Sequence, residues 1–90
     1  MTDKTIIRAR VTVFPRREVL DPQGKAIHEA LGRLGFDQVR EVRAGKSFDV
    51  TLDGVDRAGA DELLRRMSDQ LLANPVVEDF TVELAEESPA

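Results

Sequence analysis

The chain has 90 residues and contains no cysteine, no tryptophan, no tyrosine and only one histidine, His28. Without thiols there can be no disulfide, no thiolate metal site and no cysteine nucleophile, and a single imidazole cannot build a multi-histidine metal cluster. A self-contained active site is therefore not expected. The missing tyrosine and tryptophan remove the side chains that stack best on bases. The formal charge of −4 comes from 13 basic and 17 acidic residues that are interspersed rather than blocked, so no extended basic surface faces phosphates and nucleic acid is not an expected partner. No signal-like apolar stretch follows the polar start Met1-Thr2-Asp3-Lys4. Nor does any run approach the roughly 20 apolar residues of a membrane span, so no membrane is expected and the cytoplasm is the default compartment. The length predicts one domain, which at this size buries only about 60 to 70% of its unfolded surface. Self-association would enlarge so modest a core.

What is present is strongly patterned. Ile7, Ala9, Val11 and Val13 alternate with Arg8, Arg10 and Thr12, which predicts a first strand from about Thr5 to Val13 with one apolar face. Phe14 to Leu20 reads as a connection. Asp21 followed by Pro22 is a strong helix start, an acceptor at the N-cap with proline at the first helical position. That helix is expected to run to about Leu34, with Ala26, Ile27, Ala30, Leu31 and Leu34 on one side and Gly35 as its C-terminal cap. Two strands are then expected as a hairpin, Gln38 to Arg43 and Lys46 to Leu52, turning at Ala44-Gly45. In the second of these, Phe48, Val50 and Leu52 share a face. Asp53-Gly54 supplies a turn, and Asp56 caps a second helix to about Ala73 with the stripe Ala60, Leu63, Leu64, Met67, Leu71. The helical run must stop at Asn74-Pro75, because Pro75 cannot continue it and Asn74 tolerates a left-handed cap. A last strand from about Val76 to Leu84 should place Val76, Phe80, Val82 and Leu84 inward, and Glu86 to Ala90 reads as a flexible tail.

The order strand, helix, strand, strand, helix, strand is that of an α+β, ferredoxin-like βαββαβ sandwich with two helices on one face of an antiparallel sheet. The first strand then lies centrally, so Arg8 and Arg10 are flanked by Asp49 on one side and by Asp79 and Glu83 on the other. Opposite charges across neighbouring strands favour this arrangement.

The candidate sites each have a plain structural reading. Asp21-Pro22-Gln23-Gly24-Lys25 resembles an anion site at a helix N-terminus, but it lacks the GxxxxGK[ST] order and its own aspartate occupies the amides, so helix capping is preferred. His28 has no nucleophile and orienting acid beside it in sequence, and Ser47 and Ser68 carry no nucleophile-elbow motif. No catalytic residue and no metal ligand is assigned. Arg43-Ala44-Gly45-Lys46, with Arg40 just before it, is a basic turn, read either as solvated surface or as a contact to an acidic partner surface or to a partner's phosphorylated substrate. Glu78 and Asp79 alternate sides of a strand and cannot act together as general acid and base.

Three stretches, Leu20-Asp21-Pro22-Gln23-Gly24-Lys25-Ala26, Val42-Arg43-Ala44-Gly45-Lys46 and Leu71 to Phe80, resemble the PurS family, the small subunit of phosphoribosylformylglycinamidine synthase. The resemblance spans roughly residues 5 to 84 and departs from the family mainly in the polar tail. It implies a non-catalytic subunit that forms a dimer bridging a large synthetase subunit and a glutaminase subunit; the small core and the unpaired strand edges of such a sheet predict a homodimer or dimer of dimers for the isolated chain. It implies that the complex converts formylglycinamide ribonucleotide to formylglycinamidine ribonucleotide with ATP and glutamine. This chain would bind no cofactor itself, ATP and magnesium being used by the synthetase. Gln23, Lys25, Arg43 and Lys46 are the candidate partner contacts. Two readings from other classes stand beside it. One is a small-molecule-binding regulatory domain of ferredoxin-like fold, marked by a metabolite that raises the melting temperature of the isolated chain. The other is a stand-alone enzyme, marked by turnover that needs no partner and is lost in His28→Ala.

Overall fold

A computed structural model describes residues 5–85 and 88–89. The elements run β1 (Thr5–Pro15), α1 (Pro22–Arg33), β2 (Lys46–Asp53), α2 (Arg57–Met67), a π-helical turn (Ser68–Leu72), β3 (Glu78–Leu84) and a short β4 (Ser88–Pro89). All strand pairs are antiparallel. β1 is central, with β2 on one side and β3 on the other, which is the strand order expected for an α+β, ferredoxin-like chain. β4 pairs with Thr5 and Ile6 at the start of β1. Of the expected tail, Glu86, Glu87 and Ala90 lie outside the described residues.

The core follows the period-2 pattern of β1. Ile7, Ala9, Val11 and Val13 are all buried, and they meet Ala60 and Leu64 of α2 and Ala73 beyond it. Phe48, Val50 and Leu52 of β2 and Phe80, Val82 and Leu84 of β3 pack around them. Fully burying Ile7, Val11, Val13 and Leu64 stabilises the fold by about 1.5–3 kcal/mol for each side chain.

Both helix starts follow the sequence chemistry. The Asp21 and Asp56 carboxylates each accept the backbone N–H three residues on, at 3.0 Å from Gly24 and 2.7 Å from Gly59. At the other end of α1, Gly35 takes a left-handed φ of 96°. Phe36 N–H bonds Leu31 O and Gly35 N–H bonds Gly32 O, both at 3.0 Å, the paired closure that a glycine in this position permits.

Four expectations are corrected. The strand expected at Gln38 to Arg43 does not form, so the described elements run βαβαβ before β4 rather than βαββαβ. Its apolar residues Val39 and Val42 are three apart rather than two, which suits no strand face. Within it the His28 ring N–H on α1 donates to Val39 O at 2.9 Å, and just beyond it Ala44 N–H donates to Asp21 at the N-cap of α1 at 2.8 Å. Second, Leu71 is 83% exposed because the end of the second helix widens. Ala60, Leu64 and Ser68 are buried at steps of four, but the next buried residue, Ala73, is five further on, and its N–H bonds Ser68 O. One extra residue in that turn rotates Leu71 outward and Leu72 inward. Third, Asn74 is not left-handed. Ala73 leaves the helix in an extended conformation, and Asn74 uses its side-chain oxygen to accept Val76 N–H at 3.0 Å. Fourth, β3 begins at Glu78, which leaves Val76 75% exposed.

α1 behaves differently from α2. Gly24 is its only buried residue. Leu20, Ile27, Leu34 and Phe36 are exposed, Leu20 and Leu34 by more than 70%, and a Cβ placed on Gly32 would meet nothing within 4 Å. The Cα radius of gyration is 17.2 Å with extents of 59 × 28 × 14 Å, against about 12 Å for a compact chain of this length. The apolar stripe of α1 is formed as the sequence dictates, yet this chain does not cover it.

Candidate functional site

β1 ends in Phe14-Pro15 with Arg16 just beyond it, and three separate stretches of chain converge there. From the first, Asp21 sits at the N-cap of α1 and uses both carboxylate oxygens. Oδ1 accepts Gly24 N–H at 3.0 Å and Oδ2 accepts Ala44 N–H at 2.8 Å. These two amides, Ala44 foremost, hold the Asp21 carboxyl below its ordinary range, with the Arg43 guanidinium adding a smaller pull in the same direction.

The second stretch, 42–46, lies between α1 and the end of β1. The Arg43 guanidinium stands over the Phe14 ring at 5.3 Å from its centroid and donates to Pro15 O. Gly45 passes so close to β1 that a Cβ there would come within 2.4 Å of Val13 O and 2.6 Å of the Phe14 ring. A Cβ on Gly24 would fall 2.3 Å from Val42 O. Neither glycine has a positive φ, so each is present for close approach and not for backbone freedom.

The third stretch, 74–79, is tied in by Arg16. Its backbone N–H bonds Val77 O at 2.9 Å, and its guanidinium donates to Pro75 O at 2.8 Å and to Asp79 at 3.2 Å. The Glu78 carboxylate accepts Asn74 N–H at 2.7 Å. Glu78 and Asp79 are thus engaged separately on opposite sides of the strand.

Between these stretches lies an open cleft of about 380 Å³ lined by Val13, Pro15, Asp21, Pro22, Gln23, Ala44, Gly45, Lys46 and Glu78. Of the four residues named as candidate contacts, the cleft brings together Gln23 and Lys46, both exposed. The Lys46 ammonium also lies 5.9 Å from the Phe48 ring centroid. Lys25 is exposed on α1 but does not line the cleft, and Arg43 is half-buried, turned towards Phe14 and Pro15. Arg16 escaped sequence reasoning altogether, because its partners are 59 and 63 residues away and no local spacing announces them.

On the outer sheet face, Arg10 stands opposite Asp49 and Glu83 and donates to Asp49 at 2.9 Å. That bond holds the Asp49 carboxyl below its ordinary range and raises the Arg10 guanidinium. The expected charge ladder therefore exists around Arg10. Arg8 instead faces Thr51, and Asp79 faces Phe14 and turns to Arg16. A shallow depression of about 880 Å³ along this face is lined by Arg8, Arg10, Asp49, Thr51 and Glu83 among others.

Two of the residues considered for catalysis, His28 and Ser68, are occupied, and Ser47 is exposed on β2. His28 donates to Val39 O, and Ser68 is fully buried and donates to Leu64 O at 2.7 Å. Among the described residues no three His, Asp or Glu side chains are grouped to hold a metal ion, and no helix is long and apolar enough to cross a membrane.

The PurS family, described as phosphoribosylformylglycinamidine (FGAM) synthase, matches residues 8–86. The chain is 49% identical over 76 residues to the phosphoribosylformylglycinamidine synthase subunit PurS of Mycobacterium leprae, covering 83% of this chain and 91% of that one. To the Synechocystis subunit it is 45% identical over 75 residues, covering 83% and 75%. Among solved structures, Bacillus subtilis PurS superimposes with a TM-score of 0.79 at 39% identity over 89% of this chain and 99% of that one. A chain of the PurLQS structure from Thermotoga maritima reaches 0.82 at 29% identity, over 89% and 98%. The matched span takes in all three stretches that meet at the end of β1, and the chain belongs to the PurS family.

Proposed function

We propose that this chain is the small, non-catalytic subunit of phosphoribosylformylglycinamidine synthase in purine biosynthesis, and that it bridges a synthetase and a glutaminase subunit. The observation that carries this reading is the PurS match over residues 8–86, joined to the likeness with a chain of the Thermotoga maritima PurLQS structure. The residues fit a scaffold. Asp21, Arg43, Arg16 and Asp79 at the end of β1 are committed to holding segments together, and the exposed Lys25 and Lys46 suit contact with an acidic partner. ATP and magnesium belong to the synthetase in this reading.

We also assign the chain a self-associated state, a dimer or dimer of dimers, in which a second copy covers the stripe of Leu20, Ile27, Leu34 and Phe36. Two observations support it. An apolar stripe of this width on a 90-residue chain exceeds what scattered surface residues account for. A second copy is also the one partner certain to be at hand wherever the chain is made, and a two-fold arrangement covers both stripes at once.

Reconstitution tests the main reading. Synthetase and glutaminase subunits are mixed with and without this chain, and formylglycinamidine ribonucleotide formation is followed with glutamine and, separately, with saturating ammonia. The glutamine-driven rate is expected to fall sharply without the chain while the ammonia-driven rate changes less, since only the former needs coupled active sites. Equal glutamine-driven rates would remove the scaffold role. Lys46→Glu and Lys25→Glu are expected to weaken assembly and leave the fold intact, both side chains being exposed; normal assembly by both variants would return them to ordinary solvated surface.

A further inference from the structure

We propose that Asp21 is a positioning residue: by bonding α1 and the 42–45 segment at once, it fixes the direction in which α1 leaves the sheet. A helix cap needs only one acceptor, and Oδ1 supplies it to Gly24. The second oxygen reaches Ala44, 23 residues away in sequence, and that bond serves no capping purpose. The surroundings are built for the contact. Gly24 lies against Val42 O, Gly45 lies against Val13 O and the Phe14 ring, and neither site has room for a Cβ. Arg43 then clamps the same segment to β1 through Phe14 and Pro15. The path from helix to sheet is therefore Asp21 to Ala44, then Arg43 and Gly45 to the end of β1. Beyond His28 and its bond to Val39 O, α1 has no buried residue to hold its far end, so a small rotation at the joint swings Leu34 and Phe36 through a wide arc.

This inference rests on the reading that the stripe of α1 serves assembly, and the two are separable by experiment. The chain has no cysteine, so Arg33→Cys and Thr51→Cys, both at exposed positions, admit a pair of nitroxide labels. Doubly labelled full-length chain is diluted into unlabelled protein and the label-to-label distance distribution is measured by pulsed electron resonance. Asp21→Asn is the discriminating variant. Asparagine caps a helix as well as aspartate does, but its amide group offers an N–H where Ala44 also offers one. The joint predicts unchanged helicity by circular dichroism and a broadened or shifted distribution in Asp21→Asn, with Gly24→Ala giving a broadened or shifted distribution by pushing on both Val42 O and the Asp21 carboxylate. A parental distribution in both variants would overturn the proposal. A broadened distribution together with a parental glutamine-driven rate in the reconstituted enzyme would leave the joint standing and remove the assembly role of the stripe.

Discussion

Asp21 and Asp49 are carboxylates whose surroundings favour the charged form, one through backbone amides and the other through Arg10. A carboxyl whose folded pKa is depressed contributes stability that is fully present above its ordinary pKa and lost as the pH falls through the folded value. For both residues that window lies below the ordinary 3.8. Asp49→Asn is therefore expected to lower the thermal midpoint at neutral pH, with the gap to the parent closing as the pH falls below that value. A gap that persists unchanged in acid would mean that the Arg10 contact contributes nothing. The pair is exposed on both sides, so the effect is small and weakens with salt. Arg10→Glu probes the same register, since it places like charges opposite Asp49 and Glu83. Adding Asp49→Lys is expected to recover part of the lost midpoint, and strict additivity in calorimetry would show that the two side chains do not interact.

At the level of the helices, the wide turn at Ser68–Leu72 makes opposite demands on two adjacent leucines. Leu71 is 83% exposed, whereas Leu72 packs against the core. Leu71→Asn is expected to change the unfolding free energy by less than about 0.5 kcal/mol, as is usual for surface positions. Leu72→Asn is expected to cost about 1–3 kcal/mol through lost burial and an ill-placed amide. Urea unfolding of the two variants decides it, and a larger cost for Leu71→Asn than for Leu72→Asn would indicate a regular α-helix through residue 72. Leu64, fully buried between α2 and β1, anchors the helix. Leu64→Ala is expected to cost about 2–5 kcal/mol, the range for a cavity in a core that relaxes only in part.

The whole molecule is a sheet with one helix, α2, packed on it and a second helix that starts at the sheet and stays uncovered for most of its length. Such a shape is stable in water only if something shields α1 or if the remaining core suffices alone. Light scattering on the isolated chain is expected to give at least twice the single-chain mass at micromolar concentration. Leu34→Asp combined with Phe36→Asp is expected to shift that mass downward with the sheet intact, since neither side chain contributes to the core cluster. A single-chain mass for the parent would rule out the proposed self-association.

Periodicity and cap chemistry were legible in the order of residues because they act over a few positions. β1 with its buried Ile7, Ala9, Val11 and Val13, the starts of both helices at Asp21 and Asp56 and the turn at Gly54 follow from local rules, and the central place of β1 follows from the order of the elements. The failures share a cause. Gln38 to Arg43, whose two valines already lack a strand's spacing, is drawn to α1 when His28 claims Val39 O. Leu71 looks buried until Ser68 and Ala73 open the turn by one residue. Arg16 looks like a loop residue until Pro75 and Asp79 arrive from the other end of the chain. Each depends on a hydrogen bond whose partner is chosen by packing, and a pattern that repeats every two or every 3.6 residues carries no information about which distant group will be nearest. Local chemistry therefore dictated the elements and their apolar faces, while the joint at Asp21 and the uncovered stripe of α1 exist only because the folded backbone brings Gly24, Val42, Ala44 and Gly45 against the end of β1.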